Sequence, residues 1–184
     1  MGLCETPYGL ETPNGIVGLQ EPPLRIVSPY EKSFGPKAVQ FCKLVGINLD
    51  PWQQNILRDA LGVRANGRWA ARNLGIVVAR QNGKSELAAA MIIIALYVLK
   101  EKLVIYSAHR SDTAGEIFQR VQDIIENSPE LVKRTAHIRK TNGQESVKTK
   151  EGSRVQFRTR VKNAGRGFSC DRLILDEAMD LSRG

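Results

Sequence analysis

Cysteine is scarce in this sequence, and what there is lies far apart. Cys4, Cys42 and Cys170 form no C-x-x-C pair, so neither a zinc cage nor a disulfide framework is indicated, as suits a reducing cytoplasm. Long apolar runs are also missing. The longest, Leu87 to Leu99, has 13 residues, against the ~20 that a membrane helix needs; it reads as a core helix buried on most sides. The chain does not open with the basic-then-apolar pattern of a secretion signal. Internal repeats and low-complexity tracts are absent, and no second domain is visible.

What is present suits one soluble domain with a sizeable core: 184 residues, 42% hydrophobic and 25% charged. Lys and Arg number 27 against 19 Asp and Glu, a net charge of +8 with a pI near 9.6. That balance favours a polyanionic partner.

The most informative stretch is residues 75–90, GIVVARQNGKSELAAA. An apolar run, Ile76 to Val78, reads as a buried strand. A polar loop, Arg80-Gln81-Asn82-Gly83, precedes Lys84-Ser85 and a long apolar helical segment. Strand, loop, Gly-Lys-Ser and helix is the arrangement of a phosphate-binding P-loop. Gly83 allows the tight turn that aims consecutive amides at one anion. The helix starting near Lys84 adds its positive end. Lys84 would reach the β- and γ-phosphates of ATP, and the Ser85 hydroxyl would ligate Mg²⁺. The G-x-x-x-x-G-K-[ST] consensus has glycine where this chain has Val78, and an ordinary strand-to-helix turn is the blander reading of the tripeptide.

Residues 172–178, RLILDEA, supply the complement. The apolar run Leu173-Ile174-Leu175 ends in Asp176-Glu177, the pattern of a Walker B strand. Asp176 would hold Mg²⁺ through water and Glu177 would polarise the attacking water. A surface Asp-Glu pair after a strand is common; both motifs, in order and on strand ends, favour an α/β P-loop NTPase with a largely parallel central sheet flanked by helices.

Arg80-Gln81-Asn82-Gly83-Lys84-Ser85, without the leading glycine, resembles the deviant Walker A of the large terminase subunit of tailed bacteriophages. LDPWQQNIL (49–57) resembles that family's adenine-binding segment, and AGRGFSCDRLILDEA (164–178) the approach to its Walker B. The resemblance covers roughly residues 49 to 181. It implies an ATP-driven motor that packages double-stranded DNA into procapsids in the host bacterial cytoplasm. The portal protein and the small terminase subunit would be its partners, in a homo-oligomeric ring with no membrane involved. It implies Gln53 as the adenine contact, with Gln54 the neighbouring choice, and places Arg80 within reach of the triphosphate of its own site or of a neighbouring subunit's. Gln81, Asn82 and Gly83 join Lys84 and Ser85 around the nucleotide. A DNA-dependent helicase, or a non-catalytic DNA- or procapsid-binding module, is the alternative.

Elsewhere the chain reads as follows. Residues 1–36, with six prolines, suggest an irregular N-terminal arm, and 37–184 the ATPase domain. Asp50 and Pro51 start a helix expected to run to Leu61 and end at Gly62. Leu103 to Tyr106 form a second strand, followed by a helix from about Asp112 to Glu126 with a Thr113/Glu116 capping box. Residues 133–172 hold twelve Lys and Arg against three Asp and Glu, a surplus larger than that of the whole chain. Asn142-Gly143 and Glu151-Gly152 mark turns, and Val155 and Phe157 alternate with polar residues, so antiparallel hairpins with a cationic face are expected. Such a face suits DNA backbone, and no base-reading motif accompanies it. The resemblance stops short of the coupling motif and nuclease domain of terminases, so weak turnover by this chain alone is expected.

Overall fold

The computed structural model describes residues 20–79, 81–159 and 169–178. Its contacts divide into two compact units. One holds the described residues up to Val39 together with Leu49–Ile76; the other holds Gln40–Asn48 and the described residues from Val77 onwards.

In the first unit, residues 20–31 contain no helix or strand. Arg25 grips Asp59 with two bonds of 2.8 and 2.9 Å. β1 (Lys32–Ser33) pairs antiparallel with β2 (Gly62–Val63). Two helices belong here in whole or part: α1 (Gly35–Leu44), within which the boundary of the units falls, and α2 (Pro51–Ala60). Pro51 opens α2 as expected, and the helix stops one residue before the expected Leu61. Gly35 makes the approach of α1 to α2 possible. A Cβ there would lie 2.3 Å from Arg58 Cα and 2.7 Å from the Leu57 carbonyl oxygen. These are backbone atoms that cannot swing aside. Gly35→Ala is therefore expected to destabilise the protein by about 1–3 kcal/mol, read as a lower urea midpoint; an unchanged midpoint would show that α1 shifts off α2 without cost.

The second unit is a five-stranded sheet in the order β4-β5-β6-β3-β7: β4 (Thr135–Arg139), β5 (Ser146–Thr149), β6 (Arg154–Thr159), β3 (Leu103–Ala108) and β7 (Arg172–Leu175). β6, β3 and β7 run parallel, while β4, β5 and β6 form the two antiparallel hairpins. The sheet is thus mixed, with its parallel part on the side of β7. β3, with a parallel neighbour on each side, is buried from Val104 to Ala108, as befits an interior parallel strand.

Helix α3 (Lys84–Tyr97) is buried continuously from Ala89 to Tyr97. A helix apolar on every side belongs inside a fold, which is why the 13-residue apolar run becomes core. α4 (Ser111–Glu126) instead buries one stripe, including Ile117, Phe118, Val121, Ile124 and Ile125. Phe118 packs edge-on against Phe157 of β6 with centroids 5.3 Å apart, tying α4 to the sheet. A short helix, α5 (Pro129–Arg134), leads into β4. Among the described residues no helix is long and apolar enough to cross a membrane. Cys42 and Cys170 are free, and burial pushes the Cys42 thiol up to about 12, the behaviour of a packing residue rather than a nucleophile.

Two local expectations are corrected. The segment Ile76 to Val78 is no strand, and Val77 is fully exposed. A strand needs a ladder. β7 ends the sheet among the described residues, and the segment makes no strand pairing there. The Thr113/Glu116 capping box is also not formed. α4 begins at Ser111 with Arg110 as its cap residue, which places Thr113 inside the first turn, where its N–H meets the Asp112 carboxylate at 3.3 Å.

Candidate active site

The turn before α3 has the backbone that the glycine was expected to allow. Gly83 caps the helix in the left-handed region, φ 71° and ψ 16°, where a side chain would be strained. Gln81 is also left-handed, at φ 63°. Gln81, Asn82, Gly83, Lys84 and Ser85 are all exposed, so the helix N-terminus, with its positive dipole end, is accessible to an anion. Glu86, an acid in that first turn, is neutralised from the side by Arg120 of α4, with two bonds of 2.8 Å. Arg80 lies outside the described residues.

The decisive geometry joins residues 92 positions apart. Lys84 Nζ lies 2.9 Å from Asp176 Oδ1, just beyond the carboxyl end of β7. The carboxyl end of β3 holds that loop in place, because the Asp176 N–H donates to the Ser107 carbonyl at 2.9 Å. Oδ1 also accepts the Glu177 N–H at 2.9 Å, and Oδ2 accepts the Tyr106 hydroxyl at 2.7 Å. Burial pushes the Asp176 carboxyl up, but the bonds from Tyr106 and Lys84 more than offset this and hold it below the usual carboxylate range. Glu177 sits at φ 50°, a conformation that L residues adopt at a cost and that recurs at functional sites. Arg110, locked to Asp112 at 2.7 Å, has its guanidinium further favoured by the Glu177 charge. A cation, a charged carboxylate and a strained glutamate thus gather at the carboxyl ends of parallel strands, where α/β sheets bind their ligands.

The profile of the terminase large subunit, ATPase domain, matches residues 51–181. This chain belongs to that family. Three solved structures share the terminase fold. The large terminase of bacteriophage HK97 is 18% identical with a TM-score of 0.66, over 80% of this chain and 32% of that one. The large terminase ATPase domain of Thermus phage P74-26 is 22% identical with a TM-score of 0.58, over 84% of this chain and 59% of that one. A point variant of the same Thermus phage domain gives 23% and 0.60, over 78% and 59%. This terminase chain therefore spans about a third of the HK97 protein and just under three-fifths of the Thermus phage domain. No curated protein matches the sequence.

Of the expected site residues in this terminase chain, Lys84, Ser85, Gly83, Gln81 and Asn82 lie on one turn, and Asp176 and Glu177 come to it through the Lys84 ion pair. Gln53 lies in the first unit, is only 2% exposed, and its Oε1 accepts the Asp50 N–H at 2.7 Å, which caps α2. Gln54 donates to the Leu49 carbonyl at 2.9 Å.

Sequence reasoning passed over Tyr106, whose hydroxyl is buried on an acid. The available signal was a tyrosine ending the apolar run LVIY, since a buried phenol normally needs a partner. The basic stretch is likewise divided by the fold. Arg134 is held by Glu151 and lies over the Tyr97 ring at 5.3 Å, and Arg172 is clamped by Glu101 at 2.6 Å. Both are structural pairs. His137, Lys148 and Arg154 instead stand in register across β4, β5 and β6, all exposed. Arg160, Lys162 and Arg166 lie outside the described residues.

Proposed function

We propose that this chain is the ATP-hydrolysing part of a motor that drives viral double-stranded DNA into procapsids. The observation that carries the reading is the Lys84–Asp176 pair at the mouth of a left-handed glycine turn, in a chain of the terminase family. The donor set fits a magnesium nucleotide. A cation and open helix amides suit phosphates, and a hydroxyl with one charged carboxylate suits Mg²⁺, which takes one or two carboxylates plus phosphate oxygens rather than a protein cage.

In this reading the amides around Gln81, Asn82 and Gly83, with Lys84, bind the phosphates, and Ser85 and Asp176 hold Mg²⁺. The metal supplies charge neutralisation at the phosphates. Glu177 orients the attacking water by accepting its proton-bearing edge. Gln53 contacts the adenine, and Arg80 answers the triphosphate of its own or a neighbouring subunit. The working assembly is a homo-oligomeric ring in the host bacterial cytoplasm, docked on the procapsid through the portal protein and served by the small terminase subunit. Residues 1–36 act as an arm on the ATPase domain of 37–184.

DNA is gripped by backbone. The row His137, Lys148, Arg154 crosses three strands spaced about 4.8 Å apart, and none of the three is committed to a carboxylate among the ion pairs of the described residues. Binding of unrelated duplexes should fall equally as salt rises. Replacing Lys148 and Arg154 with alanine should flatten the log–log salt slope by about 0.9 for each lost contact, so about 1.8 for the pair. Sequence-dependent binding, or an unchanged slope, would remove DNA from this face.

A further inference from the structure

Tyr106 is fully buried in β3, and its ring is braced by Phe157 of β6 at 5.9 Å. Phe157 is itself packed by Phe118 of α4. The register partner of Tyr106 on β7 is Ile174, so the phenol spans two further residues to reach Asp176 with its hydroxyl. The two oxygens of Asp176 therefore have different partners. Oδ2 takes the Tyr106 proton, whereas Oδ1 takes Lys84 and the Glu177 N–H.

We infer that Tyr106 is a positioning residue for the metal-holding carboxylate. It occupies Oδ2, sets the plane of the group, and so presents Oδ1 as the oxygen offered to a divalent cation. This rests on the reading of the site given above. The Lys84 ammonium has three donors, so beside a phosphate it shares its charge between that anion and Asp176, which is 7% exposed. The Glu177 N–H stays on Oδ1 and the braced phenol on Oδ2, so the hydroxyl is what fixes the second oxygen, and it carries no charge of its own to compete with the cation. Phenylalanine would satisfy the apolar packing of β3 equally well, whereas the hydroxyl gives Asp176 Oδ2 a donor at 2.7 Å.

The test is calorimetric titration of ADP into the full chain, first with a chelator and then across a series of MgCl₂ concentrations. It is run on wild type, Tyr106→Phe and Tyr97→Phe. Tyr97 shares a proton with Thr135, away from the site, and controls for loss of a buried hydroxyl. In Tyr106→Phe the metal-free ADP affinity should stay within about twofold, while the MgCl₂ concentration giving half of the metal-dependent gain should rise about tenfold. That is the low end for losing a hydrogen bond to a charged group. Tyr97→Phe should match wild type. If phenylalanine at 106 compromises folding, 4-fluorophenylalanine fills the hydroxyl's place without a proton to give, and the same shift is expected.

Equal losses with and without metal would reduce Tyr106 to a packing residue and overturn the inference, as would an unshifted MgCl₂ response. Wild type that binds ADP with no response to MgCl₂ would overturn the site reading itself, and this inference with it.

Discussion

Lys84→Ala is expected to weaken nucleotide binding by roughly ten- to a hundredfold, the worth of one charge-assisted hydrogen bond of about 1.5–3 kcal/mol. Two losses act together. The open helix end keeps its amides but loses the only side-chain cation seen on that turn among the described residues, and Asp176 loses its partner at 2.9 Å. The second loss separates the ligand role from a structural one. Asp176 is held below its ordinary range, with Lys84 among the causes. A depressed carboxylate adds stability that is present above its unfolded value and is lost as the pH falls through its folded value. The variant should therefore be less stable near neutrality and should lose less on acidification. Nucleotide titration and urea unfolding at two pH values read both effects. Unchanged nucleotide affinity would remove Lys84, and the phosphate turn with it, from the site.

Glu177→Gln is expected to leave binding near wild type and slow hydrolysis by about 10²–10⁴-fold, the usual range for a lost general base. Glutamine fills the same space and faces the same left-handed backbone at φ 50°, so the strain is unchanged and only the ability to accept a proton is removed. Single-turnover hydrolysis, measured beside ADP binding, distinguishes the outcomes. If binding and turnover fall together, Glu177 supports the loop rather than the water. The Glu177 N–H bond to Asp176 is made by the backbone and survives the substitution, so it cannot confuse the result.

Several elements were legible because their signals are local. The run Leu87 to Leu99 is apolar on every helical face and became the buried α3. The stripe Ile117, Val121, Ile124, Ile125 recurs at helical spacing and became the inner face of α4. Val155 and Phe157 alternate with polar neighbours and point inward from β6, which follows the turn marked by Glu151-Gly152. Gly83 was identified as the residue that must turn, and it is left-handed. These features follow from side-chain period and backbone permission, which neighbouring residues carry by themselves.

The misses share the opposite property. Ile76 to Val78 has the composition of a strand but makes no strand pairing among the described residues, and apolar β-branched residues form a strand only where a partner completes the ladder. Arg134 and Arg172 counted towards a cationic surface until Glu151 and Glu101 met them across the fold.

The sequence by itself therefore determined the class of fold, the family and the glycine turn before α3, all written in short contiguous patterns. The tertiary structure alone decided which charges remain available and which groups meet. Asp176 joins Lys84 and Tyr106 only because β7 pairs with β3 and α3 delivers its first residue to their carboxyl ends. Partners 70 and 92 positions away leave no mark on local periodicity, and their distance and burial set the electrostatics of the site.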